Sequence, residues 1–157
     1  MAISEKLNAV QKAVIAIHRQ VHDESPSPMK LQKLCYYAQG YFLAESGELF
    51  PEDFQAWQHG PVIPELYKQY ASYQWKAIDV AIPDESLDTS VMEAVADIVI
   101  AYGRYDGAAL STMTHRETPW IAARGDLDES EGSNEIIPKD SMKKFFAEKL
   151  RVHGEAQ

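Results

Sequence analysis

The chain has 157 residues, with 24 aspartates and glutamates against 15 lysines and arginines, which gives a formal net charge of -9. Binding to a phosphate backbone depends on clustered cations, so this balance argues against nucleic acid as the main partner. A single cysteine excludes an intramolecular disulfide framework and is typical of a reducing cytoplasm.

The length predicts a single domain over residues 1–157, with its core within residues 3–150. The most apolar run, residues 94–102, is too short to span a membrane and contains Asp97. Cationic residues interrupt the apolar positions of the amino terminus, so we expect no signal peptide. The sequence therefore predicts a cytoplasmic protein without a membrane partner.

Two helices are predicted in the first part of the chain. Ser4 would cap the first, whose apolar stripe runs to about Asp23. Ser27 and Pro28 would provide the cap and the first position of the second helix, which ends before Gly47 because glycine tolerates positive φ. The second helix is predicted to be amphipathic, with an apolar face formed by Leu31, Leu34, Cys35, Ala38, Tyr41 and Phe42.

Short extended segments are predicted next. Residues 54–57 suit a strand that buries its two large apolar groups on one face. Residues 59–61 (HGP) predict a turn, and Pro64 predicts the first position of a short helix. Residues 77–82 predict a second strand, which we expect to pair with the first.

The second half of the chain predicts four more helices. Ser90 and Glu93 have the spacing of a capping box, before a helix that ends at Gly103. Asp106 would cap the next helix.

The last two helices flank an acidic segment. Thr118 and Pro119 would start a brief helix as cap and first position. Residues 125–133 (GDLDESEGS) predict a mobile loop, a final helix starts near Lys139, and residues 154–157 would form a loose end. Together these elements predict a mainly α fold: one compact helical domain with a minor, short β element.

Two patterns raise the question of a metal-dependent enzyme. His18 and His22 lie four residues apart, the spacing that places two imidazoles on one helix face for zinc. Arg19 replaces the glutamate of the metalloprotease pattern, so a solvated helix face is the preferred interpretation. The acidic loop lacks the glycine and the final glutamate of a calcium loop, since Glu131 and Ile137 stand there. We expect no metal and no cofactor.

A thiol-dependent enzyme would use Cys35 as the nucleophile, with His59 or His115 as the base. Cys35 falls on the predicted apolar face of its helix, where a cysteine usually behaves as a small buried hydrophobe. The sequence contains no glycine-rich phosphate loop and no nucleophile elbow. It therefore provides no positive case for catalysis, and we assign no catalytic residue.

Two clusters combine aromatic residues with histidine and proline: residues 57–61 (WQHGP) and 114–120 (THRETPW). One interpretation is structural, with indole and imidazole nitrogens bonded to the backbone at corners of the core. The other is a rigid recognition surface, since tryptophan and tyrosine dominate binding hot spots. On the second interpretation the partner-binding candidates are Tyr36, Tyr37, Trp57, His59, Pro61, His115, Glu117 and Trp120.

Three segments closely resemble the Panacea domain of SocA-like antitoxins, a family also found as phage-associated proteins. They are residues 31–40 (LQKLCYYAQG), 56–67 (AWQHGPVIPELY) and 110–120 (LSTMTHRETPW). They occur in the family's order, and residues 136–146 resemble its closing helix, so the resemblance spans nearly the whole chain. Cys35 and His59 depart mildly from the family pattern, which has an aliphatic and an aromatic residue at these positions.

The resemblance implies an antitoxin that neutralises a co-encoded toxin by direct binding. For some relatives it implies an adaptor that delivers the toxin to ClpX of the ClpXP protease. An acidic protein would suit a basic toxin, because opposite potentials speed encounter. A DNA-binding autoregulator is the alternative, together with the enzymes above, since the last helix is locally basic through Lys139, Lys143, Lys144, Lys149 and Arg151.

Overall fold

Residues 2–155, which this computed structural model describes, form seven α-helices and three short strands. The helices are α1 (Glu5–His22), α2 (Pro28–Glu45), α3 (Pro64–Tyr70), α4 (Thr89–Tyr102), α5 (Gly107–Thr114), α6 (Thr118–Arg124) and α7 (Lys139–Glu155). The strands are β1 (Phe54–Trp57), β2 (Gly60–Val62) and β3 (Ile136–Ile137). The prediction of one compact, mainly α domain with a minor β element is confirmed.

Helix α2 lies at the centre of the domain. Thirteen of its 18 residues are buried, on all sides of the helix rather than along one stripe. It contacts α1, α3, α4, α5, α7 and β2. The prediction of an amphipathic helix is therefore wrong here, because neighbouring elements also cover its polar residues Gln32, Lys33 and Gln39.

Two buried glutamines of α2 fix the backbone that follows the helix. The Gln39 amide donates to the Phe50 carbonyl at 2.7 Å and accepts from the Leu49 N–H at 2.7 Å. The Gln32 amide donates to the Ile63 carbonyl at 3.1 Å and accepts from the N–H of the same residue at 2.8 Å. Buried side-chain amides are costly unless both ends are bonded, so these pairs specify where the hairpin and α3 lie.

The predicted helix starts are mostly confirmed, because capping is a local interaction. The side chains of Ser4, Ser27 and Asp106 each accept a hydrogen bond from the first turn of α1, α2 and α5. The predicted start of α4 at Ser90 is wrong: Asp88 is the N-cap and accepts from the N–H groups of residues 90 and 91. At α6 the N-cap position belongs to Glu117, one residue earlier than predicted.

The three strands form one antiparallel sheet in the order β2-β1-β3. Strands β1 and β2 make a hairpin in which Trp57 pairs with Gly60 across a two-residue turn. Pro61 therefore lies in a strand and not in the turn predicted for it. Phe54 is buried and Trp57 lies on the opposite face, half-buried, so the prediction that both large groups share one face is wrong.

The predicted strand at residues 77–82 is also wrong. This segment is irregular, and the second partner of β1 is β3, which pairs Ile137 with Phe54. Hydrogen bonds hold the irregular segment: the Ile78 N–H donates to the Pro26 carbonyl at 3.0 Å, and the Arg19 guanidinium donates to the Ile78 and Val80 carbonyls.

The carboxyl-terminal part of the chain packs back onto the centre. The Phe146 ring of α7 lies so close to Gly40 of α2 that an added Cβ would be 2.2 Å from it. Helix α7 continues to Glu155, so the first two residues of the predicted loose end are helical, and residues 156 and 157 lie outside the described residues. Residues 125–133 form an exposed irregular loop, and the mobility expected of it stays a prediction.

Candidate partner-binding site

The structure brings the two aromatic clusters of the sequence together. The Trp120 indole N–H donates to the Trp57 carbonyl at 2.8 Å. The Ser111 hydroxyl donates to the His59 carbonyl, and the Arg124 guanidinium donates to the Ala56 carbonyl at 3.0 Å. Side chains of α5 and α6 thus hold the β1–β2 hairpin, which makes its outer surface rigid.

Within the second cluster, Trp120 is a structural residue. It is 3% exposed, and the His115 ring stacks on it with centroids 4.0 Å apart and an interplanar angle of 12°. The Arg124 guanidinium lies over its ring at 4.6 Å. The interpretation of this cluster as a corner of the core, with its indole nitrogen bonded to the backbone, is confirmed for Trp120.

The eight predicted site residues do not form one surface. Five of them are buried, namely Tyr36, Tyr37, Pro61, Glu117 and Trp120. Trp57 and His115 are half-buried, and His59 is exposed. In this conformation the buried residues offer no surface area to a partner.

Tyr36, Tyr37 and Glu117 belong to a buried polar cluster between α2, α6 and α7. The Tyr37 hydroxyl donates to Glu117 Oε2 at 3.0 Å, and Lys149 Nζ lies 3.7 Å from the same oxygen. Burial raises the pKa of Glu117 to about 7, although Lys149 opposes the shift. Burial also raises the pKa of both tyrosines, so the phenols stay protonated and can donate.

A groove of about 750 Å³ opens beside the hairpin, where Trp57 and His59 meet the start of α2, α3 and the start of α5. Three exposed apolar side chains also line it: Met29 is 38% exposed, Tyr67 45% and Trp75 77%. The rings of Trp57 and Tyr67 contact edge to face with centroids 5.2 Å apart. Large exposed apolar groups gathered at one concave surface indicate a binding site.

Most of this groove is not predicted from the sequence. The sequence predicts only a short helix that starts at Pro64, and neither Tyr67 nor Trp75 is among the candidate site residues. Trp75 follows Gln74, whose φ of 57° turns the chain after α3. The density of aromatic residues between positions 67 and 75 was the signal that could have located this wall.

Lys33 of α2 also lines the groove, although only 1% of its surface is exposed. Its amine donates to the Pro61 carbonyl at 3.3 Å. Its stem packs under Gly60, where an added Cβ would lie 2.6 Å from Lys33 Cε and 2.8 Å from Thr114 Oγ1, so the hairpin needs glycine there. Burial lowers the pKa of Lys33 to about 7.

The residues considered for metal or thiol chemistry have structural roles. His18 is 1% exposed and its Nδ1 is hydrogen-bonded to the Glu24 carbonyl, so the interpretation as a solvated face is wrong. His22 Nε2 is 3.1 Å from the Val99 carbonyl oxygen. Cys35 is fully buried, and burial raises the pKa of its thiol to about 12. Among the described side chains, those of residues 2–152, no three potential metal ligands converge.

None of the seven helices combines the length and apolarity that crossing a bilayer requires, over the part of the chain that the structure describes.

Comparison with known proteins identifies the family. Residues 31–121, more than half of the chain, match the family described as Antitoxin SocA-like, Panacea domain. Over 114 residues the chain is 31% identical to the Antitoxin SocA of Caulobacter vibrioides (strain NA1000 / CB15N). This alignment covers 63% of this chain and 61% of that protein. No solved structure shows a significant match. The chain belongs to the SocA-like antitoxin family with a Panacea domain.

Proposed function

We propose that this protein is an antitoxin that neutralises a cognate protein toxin by direct binding and has no catalytic activity of its own. Family membership is the observation that carries the proposal. A relative named Antitoxin SocA supports it, but the chain spans only 61% of the length of that relative.

The groove beside the hairpin is the best surface for the toxin. Trp57, His59, Tyr67 and Trp75 present aromatic area at the groove. Hydrogen bonds from α6 and α5 fix the backbone of Trp57 and His59 from behind. Aromatic side chains in a preformed pocket are typical anchors of protein interfaces, and little ordering entropy remains to be lost there on binding. His115 is half-buried behind this wall, stacked on Trp120.

Neutralisation has two mechanisms that predict different outcomes. In sequestration the antitoxin covers the toxin and remains bound to it. In the adaptor mechanism it presents the toxin to ClpX, so the toxin disappears while the antitoxin is recycled. The groove suits both mechanisms, because each requires a specific contact with the toxin.

DNA-binding autoregulation is the weaker proposal. The basic α7 is the only element that favoured it in the sequence, and two of its lysines have acidic partners in the structure. Lys139 Nζ lies 2.7 Å from Asp53 Oδ1, and Lys149 Nζ lies 3.7 Å from Glu117 Oε2. A gel shift with the DNA upstream of the gene tests it, and tight, salt-sensitive binding would support it.

The deciding experiment is affinity purification of the tagged protein from its host, with the protease active and inactive. We expect a stoichiometric small partner encoded beside the gene, toxic when expressed alone and harmless with this protein. Accumulation of that partner only without the protease would favour the adaptor mechanism. If neither condition yields such a partner, the antitoxin proposal is wrong.

A pair of variants tests the groove within the same experiment. Trp75→Ala removes an exposed rim residue and is expected to weaken capture of the partner. Ile100→Ala removes a 53% exposed apolar side chain of α4 that does not line the groove, and it should leave capture unchanged. Equal effects of the two substitutions would place the interface elsewhere.

A further inference from the structure

Lys33 is an unusual component of the groove because its charge has no acidic partner. Among the side chains of residues 2–152, no carboxylate oxygen lies within 4.0 Å of its amine. One carbonyl, that of Pro61, accepts a hydrogen bond from it, at the long distance of 3.3 Å. An ammonium group has three donors, and the carbonyl of Pro61 is the one described protein acceptor that it bonds.

Burying an ammonium group in this way opposes folding. A buried charge is normally paired and hydrogen-bonded, and an apolar side chain of similar volume would be at least as stable at this position. Trp57 and Val62 give the groove around Lys33 an apolar wall, which weakens solvation further. A perturbed ionisable group in a concave site is therefore a candidate for ligand binding rather than for stability.

We propose that Lys33 binds a side-chain carboxylate carried by an apolar segment of the partner protein. This inference rests on the proposed toxin-binding function of the groove and specifies the chemistry of the toxin segment. The aspartate or glutamate of that segment reaches the floor of the groove. Its apolar neighbours pack against Met29, Tyr67 and Trp75 at the rim.

Charge complementarity selects this occupant. The rim is mostly apolar and exposed, with Asp106 and His59 as its ionisable residues, while the floor holds the ammonium group of Lys33 without a carboxylate within 4.0 Å among the described side chains. An acidic residue flanked by apolar residues therefore matches both parts, provided that it enters on the side of Lys33 away from Asp106. Rotation about the bonds of the four-carbon lysine side chain lets the amine turn from the Pro61 carbonyl towards the groove. In a dry pocket the resulting ammonium–carboxylate bond is stronger than at an exposed surface.

The overall charge of -9 places a second condition on the partner. The acidic surface repels an acidic protein, so the toxin should be neutral or basic overall and acidic at the segment that enters the groove. Steering by the whole surface and anchoring at Lys33 then act on different parts of the same toxin.

A peptide library tests the chemistry without the toxin. Random heptapeptides, fused at both ends so that no free terminal carboxylate is present, are selected on the wild-type protein at pH 6.5. We expect the selected peptides to share one aspartate or glutamate among apolar residues. Replacing that acid with its amide should weaken binding of the synthetic, end-blocked peptide about tenfold or more.

Two substitutions on the same helix provide the controls. Lys33→Met keeps the length of the side chain and removes the charge, and it should abolish the preference for the acidic peptide over its amide. Lys30→Met removes another lysine of α2, whose amine bonds to the Gly103 carbonyl outside the groove, and it should retain the preference. Thermal unfolding confirms that each variant is folded before its binding is measured.

The pH dependence of peptide binding provides a second readout. Because burial lowers the pKa of Lys33 to about 7, the acidic peptide should bind best between about pH 5 and 7 and lose affinity above pH 8. His59, His115 and Asp106 are the other titratable groups near this site, so the difference between wild type and Lys33→Met is the quantity compared.

The outcomes separate the two proposals. If no selected peptide carries an acid, or if Lys33→Met keeps the acid preference, the role of Lys33 is refuted. If Lys33→Met neutralises the toxin as well as wild type does, the role of Lys33 is again refuted, while the antitoxin function stands. If the wild type captures no toxin but shows the acid preference, the groove chemistry stands and the antitoxin function fails.

Discussion

The Tyr37 hydroxyl donates a hydrogen bond of 3.0 Å to Glu117, which joins the centre of α2 to the residue at the N-cap position of α6. The second carboxylate oxygen of Glu117 is buried and has no hydrogen-bond partner among the residues that the structure describes. The signature segments 31–40 and 110–120 are therefore linked by a polar contact inside the core. A charged carboxylate at this point opposes folding, and this has a measurable consequence.

Stability should fall with rising pH because of Glu117. Its pKa is raised to about 7 from an ordinary 4.5, so between these values the folded protein keeps a proton that the unfolded chain releases. The stabilisation of the folded state by this proton is complete below about pH 4.5 and is lost as the pH rises through 7. Glu117→Gln should then be more stable than wild type at pH 8, by on the order of 2 kcal/mol, and similar at pH 4.5.

Urea unfolding of both proteins across this range measures the effect. Glu148→Gln is the control, because Glu148 is an exposed carboxylate on α7. If the free energies of unfolding of wild type and Glu117→Gln change in parallel with pH, the buried carboxylate does not control the pH dependence of stability.

Gly40→Ala should destabilise the protein by about 1–3 kcal/mol. The new methyl group would lie 2.2 Å from Phe146 Cε2, so the ring and α7 would have to move. Gly132→Ala is the matched control, since nothing lies within 4 Å of a Cβ there. Thermal unfolding compares the two, and an unchanged midpoint for Gly40→Ala would mean that α2 and α7 pack less closely than described.

Cys35 should be inert in the folded protein. Thiolate is the reactive form, and burial raises the pKa of this thiol to about 12. We expect iodoacetamide at pH 8 to label Cys35 only when denaturant unfolds the chain, as followed by mass spectrometry. Rapid stoichiometric labelling of Cys35 without denaturant would instead support the alternative hypothesis of a thiol-dependent enzyme.

Trp120→Phe should cost about 1–3 kcal/mol in the free energy of unfolding. The substitution removes the indole N–H and leaves the Trp57 carbonyl without that donor. Trp75→Phe, at a residue that is 77% exposed, should stay within about 0.5 kcal/mol of wild type. If denaturant unfolding showed a larger loss of stability for Trp75→Phe than for Trp120→Phe, it would contradict the assignment of Trp120 to the core and Trp75 to the rim.

Association with the toxin should slow as salt is added. The net charge of -9 steers a basic partner at low ionic strength, so the association rate should fall about tenfold or more at high salt. Stopped-flow fluorescence of the groove tryptophans measures the rate. A rate that salt does not change would rule out steering without affecting the contact itself.

The helices could be predicted because their signals are local. The serine caps of α1 and α2 and the proline at the start of α3 act within one helical turn, and the structure confirms them. Strand β3 could not be predicted, since it has two residues and exists only through pairing with Phe54 and Gln55, more than 80 positions earlier. The wrong strand at residues 77–82 has the same cause.

The site was harder to predict than the fold. Composition pointed to the clusters at residues 57–61 and 114–120, and their contact is a finding of the structure. Composition does not report burial, so Tyr36 and Tyr37 were placed on a recognition surface although they lie in the core. Lys33 was missed for the opposite reason, because a lysine in a helix is ordinarily expected to face solvent.

Helix α2 is buried around its whole circumference, so its residues and those of the groove rim are under different constraints. Substitutions in α2 disturb packing on every side, so little of its sequence is free to diversify when the toxin changes. We expect sequence differences among family members at the exposed residues of the rim, namely those of the hairpin turn, Tyr67 and Trp75. Partner choice should then be transferable: grafting that rim from one family member onto another should move toxin preference with it, and a graft that leaves preference with the recipient would refute this division.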